Sequence, residues 1–201
     1  GFVAATLLRG IPYVQVPTSL LAQIDSSIGG KVGIDLPQGK NLAGSFYHPK
    51  GVFIDPQLLK TLNNRFLRDG MGEVIKYGCI KDRSLFYNLF EYENEEELFG
   101  NIDDIIYTCC SIKKAVVEKD EKDKDKRMIL NFGHTLGHAI EKYFSFNGPT
   151  HGEAVAIGMY NITVHSENMG LTKEGTANDV KDILEHFELS YDIEINNWDE
   201  I

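Results

Sequence analysis

The feature that most narrows what this chain can fold into is a change of hydrophobic period near residue 58. Before it, residues 11–19 (IPYVQVPTS) alternate β-formers between prolines and read as a strand. Residues 51–56 (GVFIDP) form a short apolar run stopped by proline and read as a second, buried strand. Residues 2–8 read as the end of a helix, and a Gly-Gly turn breaks the stretch between the two strands. After it, the segments 70–80, 85–92, 101–120, 128–144, 151–170 and 176–187 carry apolar residues at three- and four-residue steps. Asp55 and Pro56 supply a helix-start signal at the junction. The pattern predicts an α/β remnant over residues 1–57 followed by an all-α domain over residues 58–201. The charged run 118–127 (EKDEKDKDKR) reads as a solvated loop or helix end. The chain begins at Gly1 and enters apolar periodicity at once, as the interior of a longer protein does.

Charge and cysteine content exclude several function classes. A formal net charge of −10 argues against nucleic acid, because a phosphate-binding surface needs a basic excess. Three cysteines, two of them adjacent (Cys109, Cys110), make neither a disulfide framework nor a CxxC zinc pattern. They suit a reducing cytosol, so a cytoplasmic location is expected. No run is long and apolar enough to predict a membrane span, and no signal peptide is visible.

The segment 130–141 (LNFGHTLGHAIE) places two histidines one helical turn apart, each after a glycine. On a helical wheel at about 100° per residue, Arg127, Asn131, His134, His138 and Glu141 fall within roughly 80° of one another, opposite a core face. Most amphipathic helices turn such a stripe to water. Two details point instead to a working face. Exposed stripes are rich in Lys and Glu, whereas this one carries Asn and two His. Gly133 and Gly137 also fall inside the predicted helix, where each costs about 1 kcal/mol relative to Ala, so another backbone or a ligand is expected close by.

A third histidine, His151, stands at a helix start after Pro149, with Glu153 favourable in the first turn. By itself it reads as an ordinary N-terminal polar residue. In 70–78 (GMGEVIKYG), Glu73 sits in an apolar helix with Lys76 on the same side, and from that motif alone the two read as a structural ion pair. Together, a carboxylate and two histidines from separate helices can hold a divalent cation with one position left open. Three ligands drawn from Glu73, His134, His138 and His151 leave the choice open, since this is not an HExxH pattern.

The stretch 25–41 (DSSIGGKVGIDLPQGKN) carries Asp25, Lys31, Lys40 and Asn41 among four glycines. Exposed backbone N–H groups and lysine point charges suit phosphate or carboxylate, although a plain surface loop would look the same. Neither GK pair has the spacing of a phosphate-binding P-loop.

With these pieces in place, the chain resembles the 3-dehydroquinate synthases of the sugar-phosphate cyclase superfamily. The resemblance is carried in order by 1–12, 16–35, 39–55, 59–62 (LKTL), 70–78, 112–121 (IKKAVVEKDE), 130–141 and 151–159 (HGEAVAIGM). It implies that residues 1–57 end an N-terminal α/β NAD-binding domain and that 58–201 belong to a helical metal- and substrate-binding domain, in a homodimer. It implies conversion of 3-deoxy-D-arabino-heptulosonate 7-phosphate, a sugar phosphate, to 3-dehydroquinate and phosphate, with NAD used transiently and zinc or cobalt as the metal. The family's metal ligands match Glu73, His134 and His151, and its catalytic positions match His138, Lys31, Lys76 and Asn41. Substrate-binding positions match Asp25, Lys113, Arg127 and Asn131. Positions around the cofactor match Thr18, Ser19, Leu21, Asp25, Lys40 and Thr61.

Two departures stand out. The family's glycine-rich NAD loop and a later substrate lysine would lie before Gly1 and after Ile201. The run before the histidine helix is also more charged than the family's glycine-containing turn, which bears on the setting of Arg127. Two other readings use the same residues. One is a related cyclase or metal-dependent polyol dehydrogenase with a different substrate; those relatives alter the Asp-Ser-Ser…Gly-Gly-Lys loop or the second histidine, whereas Asp25, Lys31 and His138 are all present here. The other is an inert helical module that binds no metal.

Overall fold

A computed structural model describes residues 1–36 and 39–195; the side chain of Lys40 and residues 196–201 lie outside the described residues. After a short helix α1 (Phe2–Thr6), the first quarter of the chain is extended or turning apart from a 3₁₀ turn (Leu7–Arg9) and a π turn (Ala22–Ser26), and the described residues from Pro56 on are helical or loop. That is the α/β remnant followed by helices that the change of period predicts.

The strands differ from expectation in detail. The strand read over 11–19 contracts to β1 (Val14–Gln15), because Pro12 and Pro17 remove backbone donors on either side. The run at 51–56 contributes β4 (Gly51–Val52), which pairs in parallel with β1 in the register Val14↔Gly51. It is not buried: Phe53 beside it is 64% exposed. The glycine- and lysine-rich stretch is a hairpin, β2 (Lys31–Leu36) antiparallel to β3 (Gly39–Phe46), in the register Lys31↔Phe46. Gly29 and Gly30, at φ +101° and +68°, turn the chain into it, a conformation that side-chain-bearing residues rarely adopt.

The helical part comprises α2 (Asn64–Ile80), α3 (Arg83–Asn88), α4 (Glu95–Gly100), α5 (Ile102–Val117), α6 (His134–Tyr143), α7 (His151–Asn168) and α8 (Thr176–His186). Local chemistry sets several starts. Asn63, Asp82 and Asn94 accept hydrogen bonds from the backbone N–H groups of Arg65, Leu85 and Glu97 at 2.9, 2.9 and 3.0 Å. Asp55 accepts from Gln57 N at 3.0 Å and starts a 3₁₀ turn, Pro56–Thr61. At α7, Thr150 N donates to the Glu153 carboxylate at 2.7 Å, so Glu153 serves the helix start as the sequence suggests. Both α2 and α6 pack on α7, and Met71, Val74, Ile75, Val155 and Met159 join one apolar core with residues of α5 and α8. Among the described residues, no helix is long and apolar enough to cross a membrane.

The helix read over 128–144 is two pieces. A 3₁₀ turn (Lys126–Asn131) ends at Phe132, and α6 starts only after Gly133, whose φ of +79° no continuous helix contains. Arg127 and Asn131 therefore leave the stripe that the helical wheel assigned them. Gly133 is not inside the helix but caps it, pressed on α7: a Cβ there would lie 2.6 Å from the Val155 carbonyl oxygen. Glu141 also leaves the solvent side, at 5% exposure.

Candidate metal centre

Close backbone contacts bring the site together. A Cβ on Gly72 would stand 2.7 Å from the Gly152 oxygen, so the middle of α2 crosses the first turn of α7 backbone to backbone. Asp69 fixes the crossing by accepting a hydrogen bond from Gly152 N at 2.5 Å. One residue along from each glycine stand Glu73 and His151. On the other side, a Cβ on Gly158 would lie 2.0 Å from the Gly133 oxygen, and one on Gly137 3.1 Å from the Ala154 oxygen. The N-terminus of α6 is thereby pressed against α7, with His134 and His138 on its first turns.

Glu73 is fully buried. Its Oε1 lies 3.4 Å from His134 Nε2 and 3.6 Å from His151 Nε2. Neither carboxylate oxygen receives a well-formed hydrogen bond from the described residues, although the Lys76 ammonium lies against Oε2. The second ring nitrogens are engaged elsewhere. His134 Nδ1 faces the Phe132 carbonyl oxygen at 3.2 Å, and His151 Nδ1 faces Glu141 Oε2 at 3.5 Å. Nδ1–H tautomers satisfy both acceptors and leave two Nε2 lone pairs aimed at one carboxylate oxygen. With both rings neutral, three lone-pair donors converge in a buried place, an arrangement that a cation between them satisfies. One ligand atom from each of Glu73, His134 and His151 lies within 4.8 Å of the others. These residues fit a small divalent ion of the zinc class.

Charge states follow the same geometry. Burial pushes the Glu73 carboxyl up, but the Lys76 ammonium and contacts with His151 and His134 outweigh it, so the group titrates below its usual range. Burial brings His134 down to about 4, opposed in part by Glu73. Burial also opposes charge on His151, yet Glu141 and Glu73 hold it up at about 9.

His138 stands one turn beyond His134 on the exposed side. Its ring centroid is 5.3 Å from that of His134 and 5.9 Å from that of His151, stacked on the latter at 29°. It is not among the three groups on Glu73, but its ring nitrogens lie within the same short range of Glu141 and His151.

A second polar cluster adjoins the first. The π turn Ala22–Ser26 packs against α5, which sets Lys113 on Asp25: Nζ is 2.8 Å from Oδ1 and donates to the Asp25 carbonyl at 2.7 Å. Tyr77, fully buried, donates its hydroxyl to Asp25 Oδ1 at 2.6 Å. Burial raises the Asp25 carboxyl, but the charges of Lys113 and Lys76 and the two hydrogen bonds prevail and hold it well below the carboxylate range. Burial lowers Lys113, with Asp25 opposing.

Lys31, half-exposed at the start of β2, is ion-paired with Asp123. Arg127 is buried and donates to the carbonyls of Gly29 at 3.2 Å and Glu121 at 2.8 Å, so it braces the turn before β2. The charged run is thus not simply solvated: the Asp120 carboxylate also accepts from the backbone N–H groups of Lys124, Asp125 and Arg127. Asn41 and Asn131 are exposed. Thr18 and Thr61 are exposed on two segments that Gln23 ties together, donating to Pro17 O at 3.3 Å and Asp55 O at 3.0 Å. Ser19 Oγ accepts from Ala22 N at 3.3 Å, and Leu21 is half-buried beside it.

Tyr77, Asp69, Asp123 and the inward turn of Glu141 escape the sequence reading. Tyr77 had a visible signal, a phenol four residues after Glu73 in an otherwise apolar helix. Asp69 and Asp123 act across long sequence separations and carry none.

Known proteins match this chain along its whole length. The family model described as 3-dehydroquinate synthase N-terminal matches residues 1–69, and the one described as 3-dehydroquinate synthase C-terminal matches residues 70–201. A 3-dehydroquinate synthase from Clostridium botulinum is 64% identical over all 201 residues, and the chain spans 57% of that relative's length. A 2-epi-5-epi-valiolone synthase from Streptomyces hygroscopicus, solved with NAD+ and Zn2+, superposes over the whole chain and 56% of its own, at 28% identity and a TM-score of 0.91. A 2-deoxy-scyllo-inosose synthase, solved with carbaglucose-6-phosphate, NAD+ and Co2+, is 32% identical with a TM-score of 0.87, over 98% of this chain and 54% of its own. The chain belongs to the 3-dehydroquinate synthase family.

Proposed function

We propose that this chain takes part in the conversion of 3-deoxy-D-arabino-heptulosonate 7-phosphate to 3-dehydroquinate and phosphate, with residues 1–57 ending the NAD-binding part and 58–201 forming the metal- and substrate-binding part. The observation that carries the reading is the aim of the His134 and His151 Nε2 atoms at one oxygen of buried Glu73, at 3.4 and 3.6 Å, in a chain of this family. A zinc or cobalt ion held there by Glu73, His134 and His151 supplies Lewis-acid polarisation of a substrate oxygen, and NAD supplies an oxidation reversed within the turnover.

The residues divide the remaining work. Lys76 keeps Glu73 ionised from the side away from the histidines. His138, exposed beside them, moves a proton at the substrate. Lys113 and Tyr77 hold Asp25 ionised and fixed, able to orient a substrate hydroxyl. Lys31, Asn41 and Asn131 meet the substrate's carboxylate and phosphate, Arg127 holds the Gly29 turn that leads into Lys31, and an anionic substrate competes with Asp123 for Lys31. Thr18, Ser19, Leu21, Lys40 and Thr61 form part of the wall along the nucleotide. We place the reaction in the cytoplasm, where the three free thiols stay reduced, and in a homodimer.

The test is phosphate release by the full-length protein with NAD and zinc, on this substrate and on glucose 6-phosphate and sedoheptulose 7-phosphate. Turnover restricted to the heptulosonate and abolished in His134→Ala supports the reading. Turnover on another sugar phosphate alone favours the cyclases that the two solved structures represent. Turnover unchanged in His134→Ala contradicts the metal assignment.

A further inference from the structure

Beside the metal ligands lies a buried carboxylate that the reaction as described does not use, Glu141. It sits in the last turns of α6 at 5% exposure, where an ionised carboxylate is costly unless it is engaged. Its Oε2 lies 3.5 Å from His151 Nδ1, and the opposite nitrogen of that ring, Nε2, faces Glu73 Oε1 at 3.6 Å. Carboxylate, imidazole and carboxylate thus lie in sequence across α6, α7 and α2. His134 shows the same division of labour, with Nδ1 on the Phe132 carbonyl and Nε2 toward Glu73.

Glu141 belongs to a second group of donors, with His138 and His151, whose atoms also lie within 4.8 Å of one another. Both groups need His151, and a neutral imidazole offers one lone pair. With Nε2 committed to the Glu73 group, Nδ1 carries the proton and is a donor, not a ligand, toward Glu141. A carboxylate accepting from a ligating histidine fixes the tautomer, sets the ring plane and raises the basicity of the coordinating nitrogen.

We propose that Glu141 is a positioning residue for the metal: it accepts the Nδ1 proton of His151 and so holds Nε2 toward the cation. This rests on the assignment of Glu73, His134 and His151 as ligands. It makes Glu141 more than a buried charge on α6, because its removal acts on metal affinity while the ligands stay in place.

The experiment measures zinc affinity of the full-length protein by competition with a chromophoric chelator. Wild type, Glu73→Gln, Glu141→Gln and Glu141→Asp are compared, each with a melting curve of the metal-free form. Glu141→Gln is expected to bind zinc about 10- to 100-fold more weakly, with the metal-free melting curve little changed and with Glu141→Asp between it and wild type. Nitrogen-15 shifts of His151 in the metal-free protein, taken at a pH high enough for the ring to be neutral, add a readout that mere packing does not move, and the Nδ1–H signature is expected to weaken in Glu141→Gln. If that variant does not fold, Glu141→Asp and the wild-type shifts decide. Affinity equal to wild type in a folded Glu141 variant, or a wild-type His151 protonated on Nε2 alone, overturns the proposal and leaves the ligand assignment standing. Zinc binding that Glu73→Gln does not weaken overturns both.

Discussion

Gly72 of α2 and Gly152 of α7 meet so closely that a Cβ on Gly152 would stand 1.9 Å from the carbonyl oxygen of Asp69, one turn before Gly72. This crossing sets Glu73 and His151 face to face, and it leaves no flexible side chain that could give way. Gly152→Ala must therefore push the helices apart, at about 2–3 kcal/mol for overpacking against backbone. For a chain of this size that corresponds to a melting temperature lower by about 4–12 °C. Calorimetry of the metal-free protein measures it, and zinc affinity should fall in the same variant. A melting temperature within a degree of wild type would show that the crossing is looser than described.

Asp25 links stability to pH. Its folded carboxyl titrates below the ordinary value of 3.8, so between the two values the unfolded chain binds more protons than the folded one. The stabilisation is complete above about pH 4 and is lost as pH falls further, toward the folded value. Removing the charge leaves Lys113 buried beside a neutral group. The side chain of Asp25 is a quarter exposed, so Asp25→Asn should cost on the order of 2–3 kcal/mol at pH 7, below the cost for a fully enclosed pair. Urea titrations at pH 7, 5 and 3 test this: the gap between wild type and variant should hold from 7 to 5 and shrink at 3. A gap independent of pH would remove Asp25 from the charge network.

The three thiols make a separate prediction. Burial pushes Cys79 up to about 12 and Cys110 up to about 11, and it raises Cys109 well beyond its ordinary value. Alkylation by iodoacetamide at pH 8 should therefore run at least about tenfold slower in the native protein than in urea, because so little thiolate is present. Native labelling should accelerate as pH climbs toward 11. One cysteine labelled at the denatured rate would contradict the burial described for it.

What the sequence made legible follows from the range over which each interaction acts. The change of period near residue 58, the Asp55–Pro56 start and the role of Glu153 are local, and they read directly. The i,i+4 histidines drew attention to the right helix, and Gly137 marked a close backbone approach, since α7 does press against it. The wheel failed at Gly133, because a left-handed residue at a cap and a glycine inside a helix look alike in one dimension. The hairpin Lys31–Phe46 was missed because three glycines and exposed polar residues hide the alternation of its strands. Choosing among Glu73, His134, His138 and His151 needed the crossings of α2 and α6 with α7, and the first of these is set by the contacts of Gly152 with Gly72 and Asp69, far apart in the chain.

Zinc K-edge X-ray absorption on the zinc-loaded protein tests the metal centre most directly. Two imidazole rings should contribute multiple scattering, with a first shell of nitrogen and oxygen at about 2.0–2.1 Å. Sulfur at about 2.3 Å, a shell without imidazole, or a protein that keeps no zinc through desalting would contradict a cation held by Glu73, His134 and His151.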